Sequence, residues 1–582
     1  MPEAHQIFSA TLHQTCRKSL SPPSLLTYSR YTIPRSAGKC YAHYMAATLS
    51  PFVPEDIITT VEIKWTPKEG RFLVASRDIS AGEVVFTEAP LVVAPKPEAG
   101  STCLACLAVL QEAWEVCGGC GAPLCLPRCD AKHHTDKECN ILACFGLKQD
   151  PTNRVLMKQL NVLLAPLRTL LLVQESQGAS AIVAALQSNT TKRRKLPIGR
   201  LVEEQVTLPL QRELGLQVES ELVQHVCGVL DTNTFIIRLS KDRYARALFS
   251  LGSLMNHSCV PNTQHWCQDG MLTVRAARDI REGTPITITY APTLWGTYAR
   301  AAYLASSKLF TCTCERCLDP VELGSHISSV WCRECHGGLL VPASDPQAPW
   351  VCQTCGSKVC AAAVEALVRA AGVAVSRVPQ DDVAAISTTM KHLAKVLGSC
   401  HYITVELKYA LVLATMTPTL TGVSEADLHE VVDLTQELLR LAACIDPGLS
   451  RFRGLMLLEQ VRALTELLIR QGGVPATLST ALSTPVDNHH PAASSTITSS
   501  CHHHASCHHH VQSLVKLADE CEVILQYDAR LPEVLALKQH LQDLRSRTIL
   551  EACCGAPSLE TKLVLPTKSA DVLLKKENRR LR

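Results

Sequence analysis

Residues 103–139 read CLACLAVLQEAWEVCGGCGAPLCLPRCDAKHHTDKEC and contain seven cysteines and two adjacent histidines. Zinc takes four thiolate or imidazole ligands in a tetrahedron, and a Cys-x2-Cys pair lets one turn supply two of them. Seven cysteines and one histidine make eight ligands, enough for two zinc ions. So short a stretch with few large apolar residues would not fold without metal. The segment therefore predicts a zinc-stabilised module.

The ligands of these two ions follow from the spacing, except for the histidine. His134 is the preferred eighth ligand and His133 is its competitor, and the sequence does not decide between them. The predicted set is Cys103, Cys106, Cys117, Cys120, Cys125, Cys129, His134 and Cys139.

Two more cysteine groups follow towards the C-terminus. Cys312, Cys314 and Cys317 supply three thiolates, so a fourth ligand must come from elsewhere in the chain. Cys332-x2-Cys335 and Cys352-x2-Cys355 are separated by sixteen residues, which is typical of a zinc ribbon. All these sites look closed with four ligands, and closed zinc sites are structural rather than catalytic.

Composition excludes several classes of protein. The 582 residues carry 57 Lys and Arg against 54 Asp and Glu, which excludes a chain-wide polycation that coats nucleic acid. Residues 103–139 hold more acidic than basic side chains, so we expect no direct sequence-specific nucleic-acid binding. No run of about 18 uncharged apolar residues exists, so we expect no membrane partner.

The rest of the chain alternates between strand and helix patterns. Alternating or apolar runs between 57 and 95 and between 235 and 290 predict strands, and the helical spacing of apolar residues over 153–230 predicts helices. The basic run 192–195 is expected in a loop, where it could serve as a nuclear import signal or be only a solvated loop. From 361 onward helices predominate, with Ser424 and Asp427 forming a capping box. Residues 472–510, which end in two Cys-His-His-His repeats, are predicted to be a disordered loop.

Motifs on both sides of the first cysteine segment carry a family resemblance. Gly70-Arg71-Phe72-Leu73 precedes it, and Asn256-His257-Ser258-Cys259-Val260-Pro261-Asn262 and Ile286-Thr287-Ile288-Thr289-Tyr290 follow it. This order resembles a SET domain split by a MYND zinc finger, as in the SMYD protein-lysine methyltransferases. The ribbon cysteines and Trp295-Gly296-Thr297 look most like the divergent arthropod SmydA branch.

The resemblance implies an α+β multidomain fold in which a β-rich SET domain is split by the MYND finger and followed by a post-SET zinc site, a zinc-ribbon-like insert and a C-terminal helical array. The implied segments are a disordered N-terminal extension (1–56), the N-terminal part of SET (57–102), MYND (103–139), a helical SET insertion (140–235), the SET core (236–292), post-SET (293–318), the ribbon (325–360) and a C-terminal helical region with its disordered loop (361–582).

The resemblance also implies S-adenosylmethionine as cofactor and particular site residues. Gly70, Arg71 and Phe72 would line the methionine end, Asn256 and His257 would contact the cofactor, and Phe310 would pack on its adenine. Tyr290 would orient the lysine amine. Cys259 would complete the site of Cys312, Cys314 and Cys317, which brings the total to four structural zinc ions.

Three departures from the family pattern bear on activity. Phe72 replaces the second glycine of the usual Gly-x-Gly turn, Thr284-Pro285 replaces an acidic pair, and Lys308 replaces a second tyrosine. Displaced reacting groups can cost about 100-fold in rate without disturbing a fold. The resemblance nevertheless implies a lysine methyltransferase acting on a histone or other protein, and we expect it in the nucleus and cytoplasm. The alternative is a weak or inactive SET–MYND adaptor that binds protein partners through the finger and the helical tail.

Overall fold

The structure is a computed structural model, and its described residues fall into two compact units. The first comprises the chain up to Asn256 together with His265–Ile288 and Ala305–Phe310, and the second comprises His257–Gln264, Thr289–Leu304 and the chain from Thr311. The described residues are 60–110, 114–125, 133–150, 152–240, 243–268, 270–343, 347–416, 420, 422–470, 501–528 and 530–554. Cys129, the N-terminal extension and most of the predicted loop 472–510 lie outside them.

Short antiparallel strands form the sheets of the first unit. Val61–Thr66 pairs with Gly70–Ala75, and the hairpin closes through Gly70 at φ +71°, a conformation that favours glycine. Val84–Glu88 pairs with Met271–Ala276. A three-stranded sheet has the order Val92–Ala94, Arg243–Leu248 and Phe235–Ser240. Three further short strands are Asn256–His257, Thr263–Gln268 and Thr287–Ile288, the first two of which extend into the second unit.

Helices fill the predicted insertion between these strands. Asn153 caps the longest of them, accepting hydrogen bonds from the N–H groups of Val155 and Leu156. The helices of the insertion are Asp136–Leu142, Arg154–Glu175, Gln177–Ala185, Thr190–Arg193, Pro197–Val202, Leu208–Arg212 and Ser220–Asn233, with a π-turn at Glu203–Thr207.

Helix Arg154–Glu175 is the one described helix long and apolar enough to cross a membrane. It continues through Pro166, and most of it is buried within the protein. The core helix of a soluble protein passes the same test of length and composition, so this helix is weak evidence for a membrane span.

The basic run 192–195 is folded, which corrects the predicted loop. Lys192 and Arg193 belong to helix Thr190–Arg193, and Arg193 is buried in an ion pair with Asp231. Lys192 donates to the Leu309 carbonyl at 3.0 Å. Asp231 and Leu309 lie far from the run in sequence, which is why local composition suggested a loop. Arg194 pairs with Glu221, so three of the four basic side chains have partners in the fold.

The second unit contains a small sheet and most of the long helices. Its antiparallel sheet has the order Val330–Trp331, Leu339–Val341, Trp350–Cys352 and Lys358–Val359. The helices are Thr297–Ser307, Glu315–Leu318, Ala361–Val375, Val383–Val396, Tyr402–Thr415, Glu425–Ile445, Arg451–Arg470, Cys501–Leu525 and Leu531–Cys554. The predicted helical array and the capping box of Ser424 with Asp427 are both present.

The predicted disordered loop 472–510 extends too far. Residues 501–510 belong to helix Cys501–Leu525, whose later part carries the buried apolar residues Leu514 and Ala518. Extending a helix by a residue costs much less than nucleating one, so a polar, histidine-rich segment can continue a helix that its apolar neighbour stabilises.

His401 gives this unit a pH-dependent stability. It is 1% exposed, and its Nδ1 accepts a hydrogen bond from the Ile403 N–H at the start of helix Tyr402–Thr415. Burial lowers the pKa of His401 to about 3, so the folded state holds the neutral imidazole. Its contribution to stability is present above the ordinary histidine pKa of about 6.5 and is lost as pH falls towards 3.

When the pH is lowered from about 7.5 to about 5.5, the free energy of unfolding is expected to fall in both chains. The fall is expected to be about 1 kcal/mol larger in wild type than in His401→Ser. Serine keeps a helix-capping oxygen but does not titrate. Urea unfolding of both chains at the two pH values measures the difference. An equal fall in both chains would show that His401 is not the source.

Candidate functional site

Cys117, Cys120, His134 and Cys139 converge in the first unit. The Sγ atoms of Cys117 and Cys139 are 3.5 Å apart, and the Nε2 of His134 is 3.5 Å from the Cys120 Sγ. Zinc–sulfur bonds of about 2.3 Å in a tetrahedron place sulfurs about 3.8 Å apart. The four donors fit a zinc ion, and the structure places His134 rather than His133 among them.

The turn that carries Cys117 and Cys120 needs its glycines. Gly121 adopts φ +78° and donates to the Cys117 carbonyl at 2.7 Å. A Cβ at Gly119 would lie 2.5 Å from the Cys139 Sγ. A side chain there would displace a zinc ligand, so the glycine permits the close approach of the thiolates.

Three predicted ligands of the second ion in this segment also converge. Cys103, Cys106 and Cys125 form one group, with the Sγ atoms of Cys106 and Cys125 3.5 Å apart. The predicted fourth ligand, Cys129, lies outside the described residues. The described part thus supplies three thiols in a geometry suited to zinc.

The ribbon cysteines converge in the second unit. Their Sγ atoms are 3.7 Å apart in the pairs Cys332–Cys355 and Cys335–Cys352, and all four donors fit one ion. A Cβ at Gly338 would lie 2.5 Å from the Cys352 Sγ. The antiparallel sheet brings the two Cys-x2-Cys turns together, as the sixteen-residue spacing predicts.

The fourth cluster joins Cys259 to Cys312, Cys314 and Cys317, also in the second unit. Cys259 is fully buried, and its Sγ is 3.4 Å from that of Cys317. The three clustered thiols therefore meet the cysteine of the Asn-His-Ser-Cys motif, 53 residues before Cys312 in the chain (312 − 259). This arrangement fits a structural zinc ion.

A buried arginine, which sequence reasoning missed, lies against this cluster. Arg300 is fully buried, and its Nε donates to the Cys259 Sγ at 3.1 Å. Four thiolates around Zn²⁺ leave a net double negative charge, which a nearby guanidinium partly neutralises. The Nη1 of Arg300 donates to Glu322 at 2.8 Å, and Arg316 donates to the same carboxylate oxygen at 2.9 Å. Each buried charge therefore has a partner.

His257 links the zinc cluster to Tyr290 within the second unit. Its Nδ1 accepts a hydrogen bond from the Tyr290 backbone N–H at 2.9 Å, so a neutral ring carries its proton on Nε2. That Nε2 lies 3.2 Å from the Cys259 Sγ. Burial lowers the pKa of His257 to about 4, which keeps the ring neutral near pH 7. His257 thus holds the Tyr290 backbone, and both of its ring nitrogens face protein groups.

Tyr290 lies close to the His257 ring, with ring centroids 5.2 Å apart. Burial raises the pKa of its hydroxyl, which stays protonated near neutral pH. A protonated phenol can donate or accept a hydrogen bond, so it can orient a neighbouring group, but it is not a general base at pH 7.

The glycine-containing turn and Asn256 belong to the first unit. Arg71 donates through Nη1 to the Ala185 carbonyl at 2.5 Å, and Phe72 is 6% exposed in the core. The Asn256 side chain donates to the Glu69 carbonyl at 3.4 Å, just before Gly70. The structure therefore brings Asn256 beside the turn that the sequence assigned to the cofactor.

Glu88 is a second residue that sequence reasoning missed. Its buried carboxylate accepts hydrogen bonds from the backbone N–H groups of Ser250, Leu251 and Gly252 at 2.7, 2.9 and 2.9 Å. These bonds fix the short helical turn Gly252–Leu254 that leads into Asn256. Glu88 thus positions the start of the Asn-His motif through the backbone.

Lys308 caps a helix in the first unit. Its ammonium donates to the Thr232 carbonyl at 2.7 Å and lies 3.4 Å from the Asp231 carbonyl, at the end of helix Ser220–Asn233. A cation is favoured at a helix C-terminus. Burial lowers the pKa of Lys308. Phe310, two residues on, is half-buried in the same unit.

Comparisons with known proteins agree with these motifs. A SET domain family model matches residues 70–291. SET domain-containing protein SmydA-8 (isoform A) of Drosophila melanogaster is 33% identical over 49% of this chain and 63% of its own length. N-lysine methyltransferase SMYD2 of Gallus gallus is 28% identical over 43% of this chain and 58% of its own length. The chain spans a little under two thirds of these relatives.

One solved structure also aligns with the chain. It is the crystal structure of the SET domain of LSMT bound to MeLysine and AdoHcy, and it aligns at 13% identity and a TM-score of 0.24 over 86% of this chain and 96% of its own. So low a score supports no argument about this fold. The sequence relatives and the family model show that the chain is similar to SET-domain proteins of the SMYD type, with a higher identity to SmydA-8 than to SMYD2.

Proposed function

We propose that this chain is a SET-domain protein of the SMYD type and a protein-lysine N-methyltransferase that uses S-adenosylmethionine. The observation that carries the proposal is the hydrogen bond from the Tyr290 backbone to His257, because it joins the final tyrosine of the SET pattern to the Asn-His-Ser-Cys motif. The match of residues 70–291 to the SET family model supports it. The relatives named as lysine methyltransferases support a protein lysine, in a histone or another protein, as substrate.

The residues of this chain are suited to methyl transfer from S-adenosylmethionine to a lysine. S-adenosylmethionine would supply the methyl group, and Gly70, Arg71, Phe72, Asn256 and Phe310 are the proposed cofactor contacts. Since the His257 ring nitrogens face Tyr290 and Cys259, its proposed contribution to the cofactor is through its backbone. In-line transfer requires a neutral lysine amine held at a fixed angle, and the protonated Tyr290 hydroxyl can provide that orientation by accepting a hydrogen bond.

Methyl transfer is tested with the purified full chain, labelled S-adenosylmethionine and a mixture of histones and cell-extract proteins. The proposal predicts label on protein lysine that falls about 100-fold when Tyr290 is replaced by Phe. The adaptor alternative predicts no label with any substrate. It also predicts that Tyr290→Phe binds protein partners as wild type does.

Lys308 is the residue that favours the adaptor alternative. It stands where the family often has a second tyrosine, and its ammonium is engaged at the end of helix Ser220–Asn233. A group that caps a helix does not replace a hydroxyl that aligns an amine. The adaptor would act through the cysteine-rich segment, which we propose is a MYND finger, and through the C-terminal helices.

Lys308→Tyr is expected to raise methyl transfer relative to Lys308→Met, by up to about 100-fold if the missing hydroxyl limits alignment. Both variants lose the helix cap, at a cost of about 1 kcal/mol, so the comparison isolates the hydroxyl. Turnover at saturating cofactor measures the ratio. Equal turnover in the two variants would show that position 308 does not contribute to alignment.

Nuclear and cytoplasmic residence is also part of the proposal. The basic run 192–195 is its sequence support, although Arg193 is buried in the fold. Imaging of a fluorescent fusion of the full chain tests it, and exclusion from the nucleus would contradict it.

A further inference from the structure

A buried carboxylate lies directly behind the histidine ligand of the first unit. Glu138 is 1% exposed and belongs to helix Asp136–Leu142, one turn after His134. Its Oε1 is 2.9 Å from the His134 Nδ1. The carboxylate accepts this hydrogen bond, so the proton of the ring stays on Nδ1 and the Nε2 lone pair faces the cluster.

Arg168, from helix Arg154–Glu175, holds the carboxylate from the other side. Its Nε donates to the Glu138 Oε2 at 2.6 Å, and its Nη2 donates to Oε1 at 3.0 Å. This two-bond geometry fixes the plane of the carboxylate as well as its position. Glu138 therefore cannot rotate without breaking bonds to both partners.

The same guanidinium reaches two backbone carbonyls in the first unit. It donates to the Val93 carbonyl at 2.7 Å, in the sheet strand Val92–Ala94, and to the Leu104 carbonyl at 3.1 Å, between Cys103 and Cys106. The chain of contacts therefore runs from a sheet strand through Arg168 and Glu138 to His134.

A nearby ion pair shows how this arrangement differs from an ordinary surface bridge. Lys137 and Glu175 join the same two helices at 3.0 Å, but their side chains are 48% and 55% exposed. Exposed ion pairs of this kind contribute little to the stability of the fold. The side chains of Glu138 and Arg168 are only 2% and 10% exposed, and Glu138 is also hydrogen-bonded to His134, a candidate metal ligand.

We propose that Glu138 and Arg168 are positioning residues for zinc: they fix the tautomer and direction of His134 and tie its site to the sheet strand Val92–Ala94. Carboxylates that accept from a ligating histidine orient the ring and raise its basicity, and their loss costs about 10–100-fold in metal affinity. The inference requires a metal at the cluster of Cys117, Cys120, His134 and Cys139, but it does not require methyl transfer.

The test measures zinc release from the zinc-loaded full chain, with a chelator in excess and a chromogenic zinc indicator. Glu138→Gln is expected to lose one zinc ion per chain about 10–100-fold more readily than wild type. Glu175→Gln removes a carboxylate from the exposed pair between the same helices and is expected to release zinc as wild type does.

The decisive comparison repeats the Glu138→Gln substitution in a His134→Cys background. A thiolate ligand has no tautomer and needs no orienting carboxylate, so Glu138→Gln is expected to leave zinc retention unchanged there. If Glu138 only braces the fold, the substitution weakens retention equally in both backgrounds, and the proposal is overturned. Wild-type retention in the single Glu138→Gln variant overturns it as well.

If Glu138→Gln fails to fold, the comparison of the wild-type and His134→Cys backgrounds still tests the proposal. If circular dichroism shows that Glu138→Gln is unfolded when His134 is present but folded in the His134→Cys background, the proposal is supported. A chain that is unfolded in both backgrounds assigns Glu138 to the fold alone and contradicts it. Arg168→Lys, which keeps the charge but loses the two-bond geometry, is expected to show a smaller loss with the same dependence on His134.

Discussion

Tyr290→Phe is expected to lower methyl transfer about 100-fold while leaving S-adenosylmethionine affinity nearly unchanged. The substitution removes only the hydroxyl, and the Tyr290 backbone bond to His257 remains. An interaction made as the amine reaches the methyl group lowers turnover more than it lowers affinity. Turnover at saturating cofactor and calorimetric cofactor binding measure the two effects separately.

Asn256→Ala is the matched comparison for this prediction. Asn256 contacts the Glu69 carbonyl beside Gly70, so its loss is expected to weaken cofactor binding itself. Tyr290→Phe is therefore expected to be impaired in turnover, and Asn256→Ala in cofactor binding. Full turnover in Tyr290→Phe would show that the active site is elsewhere.

Cys259→Ala is expected to remove one zinc ion per chain and to lower the melting temperature by roughly 10 °C. Besides losing a ligand, it leaves the buried Arg300 without the thiolate that accepts from its Nε. Breaking a buried charge pair costs about 3–5 kcal/mol, and each kcal/mol shifts the melting temperature by about 2–4 °C in a unit of this size.

Cys521→Ala is the control for this substitution. Cys521 is likewise buried in the second unit, and it belongs to none of the described cysteine clusters. The same atoms are removed, but only a packing loss of about 1 kcal/mol is expected. Metal analysis and thermal unfolding compare the two chains. Equal zinc content and equal melting temperatures would contradict the assignment of Cys259 as a ligand.

The cysteine clusters could be predicted because zinc ligands obey local spacing. Cys332 to Cys355 and Cys312 to Cys317 each lie within one short stretch, and the structure gathers them as expected. The choice of His134 over His133 could not be made, because it depends on the folded positions of the His134 ring nitrogens, one 3.5 Å from the Cys120 Sγ and the other 2.9 Å from Glu138. A pattern read along the chain contains no such contact.

Buried ionisable residues were missed for the same reason. Glu88, Glu138 and Arg300 look like ordinary surface residues in sequence, and only folding shows that each holds a backbone turn or a ligand. Lys308 was identified as a departure from the family, but its bond to the Thr232 carbonyl depends on where helix Ser220–Asn233 ends. Sequence indicated which residues were unusual, and the fold shows which partners they have.

Calorimetric titration of the purified, zinc-loaded full chain with S-adenosylmethionine tests the central claim most directly. The proposed methyltransferase predicts saturable binding at one site with micromolar affinity, weakened by Asn256→Ala and preserved in Tyr290→Phe. No detectable binding to a folded chain that retains its zinc would contradict the claim and favour the alternative of an adaptor that acts only through its protein partners.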